Sequence, residues 1–180
     1  MNTKMDKATV YLGLGSNMGD RQQMLAQATG LLSQKVTVET ISSLYETKPQ
    51  YVLEQPMFLN AACRISTSLK PHQLLTLVKG IESKLGRRPD SHNKPRPVDI
   101  DILIYDNLVI QSQTLIIPHP LMMERAFVLI PLAEIAPDLV HPVAGQPINQ
   151  LASSVSAYGV VKIGPAINIS EGGRYVPTIG

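Results

Sequence analysis

The sequence predicts a single α+β domain, and three observations point that way. Its 180 residues are about one domain's length. Alternating β-prone segments are interleaved with segments of helical apolar spacing. The links between them are of hairpin type, unlike the long crossovers of a repeating βαβ chain. A composition 44% hydrophobic and 17% charged is that of a globular chain and excludes a largely disordered one. The lone Cys63 excludes an internal disulfide and a cysteine-rich zinc site. The longest apolar run, residues 126–133, is interrupted by Pro131 and falls far short of the ~20 residues a membrane helix needs. No apolar core precedes a cleavage site in MNTKMDKATVYLG, so no secretory signal is expected, and a cytoplasmic setting is.

Residues 1–7 read as a polar lead. Residues 8–14 (ATVYLGL) form a β-prone run stopped by the turn-rich GSNMGD. Met24, Leu25, Ala28, Leu31 and Leu32 then fall at helical spacing over 21–32, with Asp20 as N-cap. Residues 36–45 alternate as one strand, 47–57 are a loop holding Pro49 and Pro56, and 58–66 are the next strand. The strongest helix is 69–85, with Pro71 near its start, an apolar face through Leu74, Val78 and Ile81, and Gly86 as its stop. Residues 87–97 hold three prolines and no periodicity, a loop of a length that is usually functional or disordered. Residues 98–105 (VDIDILIY) alternate as a strand, followed by an Asp106-Asn107 turn and a partner strand over 108–110. Residues 121–135 read as helix in two pieces around Pro131. The expected domain is 8–155, and 156–180 is an extension with no assignment.

Asp99 and Asp101 flank Ile100 on a strand. With a period of two their carboxylates leave one face roughly 6 to 7 Å apart, while Ile100, Ile102 and Ile104 share the other. Two such charges repel unless a cation lies between them, and Mg²⁺ takes one or two carboxylates together with substrate phosphates. A hydrated polar strand face is the plain alternative. Just upstream, residues 84–96 carry Lys84, Arg87, Arg88, Lys94 and Arg96 against Asp90 alone. That is an excess of four positive charges in a chain of net +2. Arginine forks match phosphate oxygens, so the loop and the acidic strand together have the parts of Mg-assisted phosphoryl transfer. A solvated basic loop is the competing reading.

Other features are decoys or stay open. GLGSNMGD has Met18 where a dinucleotide fingerprint needs glycine, and no phosphate-loop lysine follows. His119, between two prolines in IPHP, is either structural or a held ligand group. Asn60 needs hydrogen-bond partners from backbone or ligand. Core packing is the default for Phe58 and Phe127. The basic loop has no aromatic side chain, which argues against single-stranded nucleic acid.

Taken together and in order, YLGLGSNMGDR, FLNAA, GIESKLGR, PRPVDIDIL, IPHPLMMERAF and PLAEIAPDLVHP, over about residues 10–142, resemble 6-hydroxymethyl-7,8-dihydropterin pyrophosphokinase of the folate pathway. The resemblance implies a ferredoxin-like α+β fold and transfer of the β,γ-diphosphate of ATP to the pterin's 6-hydroxymethyl oxygen, with release of AMP. It implies that Asp99 and Asp101 hold two Mg²⁺ ions with ATP, and that Arg87 and Arg96 serve the phosphates and the transition-state charge. His119, Arg125, Ile102, Thr114 and Glu82 fall at ATP-site positions, Glu82 as a support for the loop arginines. Asn60 reads the pterin edge, Phe58 and Phe127 sandwich its ring, and Thr47, Pro49 and Asp99 complete that site. The implied partners are these two small molecules, with no nucleic acid and no membrane, for a monomer or weak homodimer. Two departures stand out: Asn93-Lys94 precede Pro95-Arg96 where many members have Trp-Gly, and Gln50-Tyr51 replace a common Leu-Gly. Another Mg-dependent phosphoryl or nucleotidyl transferase, and a non-catalytic nucleotide- or partner-binding module, remain as other classes.

Overall fold

The computed structural model describes residues 6–50 and 52–168; part of the polar lead, Tyr51 and the far part of the extension lie outside them. The chain runs β1 (Ala8–Ser16), α1 (Arg21–Ser33), β2 (Thr37–Ile41), β3 (Leu44–Thr47), β4 (Phe58–Thr67), α2 (Pro71–Lys84) and β5 (Asp99–Tyr105). The strands pair antiparallel in the order β5-β1-β4-β3, with β2 also on β4. This is the expected ferredoxin-like βαββαβ arrangement, its second strand split in two. After it come β6 (Ile110–Gln111), β7 (Ile116–Ile117), a 3-10 turn (Met122–Glu124), α3 (Ala126–Ile135), α4 (Ile148–Ser154) and β8 (Val160–Gly164).

Strand alternation divides the interior into two layers. Val10, Leu12 and Leu14 of β1, Leu59, Ala61, Cys63 and Ile65 of β4, and Ile100 and Ile102 of β5 pack on Leu25, Leu32, Leu74, Val78 and Ile81 of α1 and α2. The opposite face carries Tyr11, Ala62 and Leu103 against Val128, Leu129 and Leu132 of α3 and Ile148 and Leu151 of α4. Asp20 caps α1 by accepting the Gln23 N–H at 3.0 Å. Gly86 leaves α2 at φ +95°, a conformation glycine adopts without a Cβ penalty.

Several expected elements differ. The strand over 36–45 breaks at Ser42-Ser43. There Ser42 Oγ accepts the Ala62 N–H, and the Ser43 N–H turns away to Glu134 on α3. The strand expected over 108–110 does not pair with β5; β6 pairs with β7 in a separate ribbon. The helical break in 121–135 falls at Arg125, with extended backbone at φ −109° and ψ 101°, and Pro131 lies inside α3. Its ring cannot donate to the Phe127 carbonyl, yet burial of Leu129 and Leu132 on the sheet holds the helix through it. Ile104 does not share a face with Ile100 and Ile102. A register shift against β1 makes Leu103 an extra residue and turns Ile104 to the α3 layer. Finally, β8 comes from the unassigned extension and extends the sheet along β3, so the chain beyond residue 155 contributes to the domain. No helix of the described residues is long and apolar enough to cross a membrane.

Candidate active site

The face of the sheet under α3 is where the polar strand residues collect. Asp99 and Asp101 of β5, Gly13 and Gly15 of β1, Phe58 and Asn60 of β4, and Thr47 at the end of β3 line one cleft. Arg96, Arg125, Phe127 and Val128 complete its wall. The expected common face of the two aspartates is therefore present, and both aromatic side chains open on the same space. Asn60 lies beside Gly15, where a Cβ would come within 3.1 Å of the Asn60 Oδ1, so glycine there is what leaves the amide its room. The amide is oriented by donating from Nδ2 to Thr47 Oγ1 at 2.7 Å.

A second cleft borders the first and shares Asp101 with it. Ile102, Thr114, Leu115, Ile116, His119 and Lys79 line it. His119 Nδ1 accepts the Leu121 N–H at 3.2 Å, which places the proton of the neutral ring on Nε2. Burial, with Arg125 nearby, pushes the His119 pKa down to about 4, so the ring is a neutral hydrogen-bond donor at physiological pH.

The two carboxylates differ sharply. Arg87 Nη1 donates to Asp99 Oδ1 at 2.5 Å and Arg96 Nε to Oδ2 at 3.1 Å. Burial alone would raise the Asp99 pKa, but these guanidinium groups hold it below the ordinary value. No hydrogen bond reaches the Asp101 carboxylate among the described residues. Burial, and then the charge of Asp99, pushes its pKa up to about 7. Glu82 accepts the Ile100 N–H at 2.7 Å and pairs with Arg87 at 2.9 Å. This carboxylate, only 3% exposed, fixes β5 and Arg87 in place and is not free to meet a ligand.

The basic loop is anchored by Asn17, a residue of the turn-rich GSNMGD segment. Asn17 donates its N–H to the Arg96 carbonyl at 3.3 Å and accepts the Arg96 N–H on Oδ1 at 2.9 Å. Its Nδ2 donates to Gln55 Oε1 at 3.1 Å, and Gln55 Nε2 donates to the Asn93 carbonyl. Asn17 thus ties together the loops on either side of the cleft mouth. In the sequence Asn17 is one polar residue of a turn-rich segment; in the fold it is 1% exposed while its neighbour Met18 is 52% exposed.

Of the expected residues, Asp99, Asp101, Arg96, Arg125, Phe58, Asn60, Thr47 and Phe127 share the first cleft, and Ile102, Thr114 and His119 the second. Arg87 and Glu82 line a third, with Lys79 and Arg88. Pro49 is not brought to the first cleft; it lines an adjoining cavity with Tyr158 and Val160. Lys48, Gln50, Gly15 and Lys79 are site residues that sequence reasoning missed.

Residues 11–137 match the profile of 7,8-dihydro-6-hydroxymethylpterin-pyrophosphokinase (HPPK). A folic acid synthesis protein of Dictyostelium discoideum is 46% identical over 141 residues, 78% of this chain and 22% of that protein. The chain thus spans about a fifth of the length of this relative. The 2-amino-4-hydroxy-6-hydroxymethyldihydropteridine pyrophosphokinase of Bacillus subtilis is 50% identical over 127 residues, 69% of this chain and 76% of that one. A crystal structure of Plasmodium falciparum HPPK-DHPS aligns with a TM-score of 0.71 at 16% identity, covering 84% of this chain and 46% of that one. That likeness speaks for the fold, while the profile, over residues 11–137, spans the strand, loop and helix segments that build the first two clefts. The chain belongs to the 7,8-dihydro-6-hydroxymethylpterin-pyrophosphokinase family.

Proposed function

We propose that this chain transfers the β,γ-diphosphate of ATP to the hydroxymethyl oxygen of 6-hydroxymethyl-7,8-dihydropterin, releasing AMP. The observation that carries the reading is the place of Asp101, on the wall of both clefts at once. A flat heterocycle stacked between Phe58 and Phe127, its polar edge on Asn60 and Thr47, is held beside the carboxylates. A nucleotide in the neighbouring cleft, its base near Ile102, Thr114 and Ile116, directs its phosphates toward the same carboxylates and the arginines.

The donor set fits a hard divalent cation. Asp101 is a half-buried carboxylate with no hydrogen bond among the described residues, beside a second carboxylate on the same strand face, and a positive charge there would relieve its raised pKa. Among the described residues no cluster of three or more such ligands exists, so phosphate oxygens and water would complete the shell, as suits Mg²⁺. Asp99 and Asp101 would hold two such ions with ATP, and the ions would supply positive charge against that of the transferred group. The chain's own residues bind and orient the substrates. Arg87 and Arg96 present guanidinium forks to the phosphates, and His119 offers its Nε2–H. Catalysis then rests on positioning and charge stabilisation, with no strong general base required. The setting in this reading is cytoplasmic.

The deciding assay supplies ATP, Mg²⁺ and the pterin and measures AMP. AMP that appears only with the pterin is expected. ATP binding without AMP would instead make the chain a binding module, and AMP formed equally fast without the pterin would mean transfer to water and overturn the reading. Gly15→Ala gives a finer check on the pterin side. The added methyl crowds Asn60 Oδ1, so the KM for pterin should rise about tenfold while the KM for ATP stays put. An unchanged pterin KM would remove Asn60 from the recognition site.

A further inference from the structure

The segment PLAEIAP contains a charged residue, Glu134, that lies outside every cleft described above. Its carboxylate is nevertheless the most heavily hydrogen-bonded acceptor on α3. Oε1 accepts the Ser43 N–H at 2.9 Å and the Ser43 Oγ–H at 2.8 Å, and Oε2 accepts the Tyr45 hydroxyl at 2.5 Å. Lys162 of β8 stands 3.7 Å from Oε2. Ser43 and Tyr45 are buried, so their polar groups depend on this acceptor.

Two periodicities make the arrangement more than a surface tie. Glu134 follows Phe127 by two helical turns, so the two share a face of α3 about 10 Å apart. Tyr45 and Thr47 are two residues apart on β3 and share a face of the sheet. Tyr45 also pairs with Asn60 across β3 and β4, and Asn60 donates to Thr47. The helix and the strand therefore form two rails. At one end the rails are joined by Glu134, Ser43 and Tyr45. At the other end Phe127 stands on one rail, Thr47 with Asn60 on the other, and the space between is the aromatic cleft.

We infer that Glu134 is a positioning residue, which through Ser43 and Tyr45 sets the separation between Phe127 and the Asn60–Thr47 wall and so the fit of the pterin ring. The inference rests on the function proposed above. Glu134 lies outside both clefts, and Asp99, Asp101, Arg87 and the second cleft lie on other elements. Arg125, the ATP-site position nearest to it in the chain, precedes the first turn of α3, more than two helical turns from Glu134. Loosening α3 from β3 should act on the pterin and spare the nucleotide.

The test is calorimetric titration of 6-hydroxymethyl-7,8-dihydropterin into the full chain holding a non-hydrolysable ATP analogue and Mg²⁺, alongside titration of the analogue itself. Glu134→Ala should weaken pterin binding by about tenfold or more and leave analogue affinity within about twofold. Glu134→Gln should recover most of the loss, because its amide oxygen can accept from Ser43 and its NH₂ can donate to the Tyr45 oxygen. Tyr45→Phe removes a single hydrogen bond and should fall between the two; it decides the matter if the alanine variant does not fold. Pterin affinity unchanged in Tyr45→Phe and in folded Glu134→Ala would overturn the inference, as would a parallel loss of analogue affinity. Binding of pterin by the parental protein checks the function separately: its absence overturns that proposal and this role with it.

Discussion

Asp101→Asn is expected to abolish turnover and, in the same protein, to raise the stability of the ligand-free fold. The first effect follows from the proposed metal site. Losing a carboxylate that lines both clefts should remove several kcal/mol of charge stabilisation, so kcat should fall by roughly 10³-fold or more with pterin binding largely retained. The second effect follows from the pKa raised to about 7, which burial and Asp99 cause. A carboxyl so raised favours the folded state while protonated. Its contribution is complete below its unfolded value and is lost as pH rises through about 7. Above that point the ionised carboxylate burdens the fold. Asparagine cannot ionise, so denaturant titration should show a gain at pH 8 and little change at pH 4. An equal gain at both pH values would refute the electrostatic account, and retained turnover would refute the metal assignment. Function and stability are opposed at this position.

Arg96→Ala should lower kcat by roughly 10² to 10³-fold while changing nucleotide affinity far less, because charge on the transferred group is greatest in the transition state. The structure makes this substitution unusually clean. The two backbone hydrogen bonds to Asn17 use the Arg96 N–H and carbonyl and persist in alanine. What is lost is the guanidinium, 3.1 Å from Asp99 Oδ2 and 5.1 Å from the Phe58 ring centre. Lysine should rescue poorly, since a point charge does not reproduce the planar fork. Single-turnover rates measured with ATP saturating are the check. Intact single-turnover chemistry with weakened ATP binding would confine Arg96 to nucleotide affinity.

These expectations could be framed largely because the acidic strand and its basic neighbour are local patterns. Alternation alone put Asp99 and Asp101 on one face, and helical spacing found α1 and α2. What escaped were features made by contacts far apart in the chain. The period-two count failed at Ile104 because a bulge at Leu103 breaks the ladder, and nothing in VDIDILIY marks one. Pro131 reads as a breaker because its local cost is plain, whereas the burial that offsets it belongs to the sheet beneath. Asn17 sits in a turn-rich segment and Glu134 in a motif that gives it no role of its own; their partners lie 79 and 91 residues away. Most individual roles in the site came through resemblance in several short motifs, since residue type alone left Asn60, His119, Phe58 and Phe127 open.

The solitary cysteine has a practical consequence. Cys63 is fully buried in the middle of β4, flanked by Leu12 on one side and Ile41 on the other, and burial pushes its thiol up to about 12. A thiol reagent can reach it only when the packing of α1 and α2 on the sheet opens, so the labelling rate in native buffer clocks the opening of the core behind the strand that carries Phe58 and Asn60. Ligands that bind the closed strand slow that clock in proportion to their occupancy, which makes one sulfur atom a reporter of substrate binding without any engineered probe.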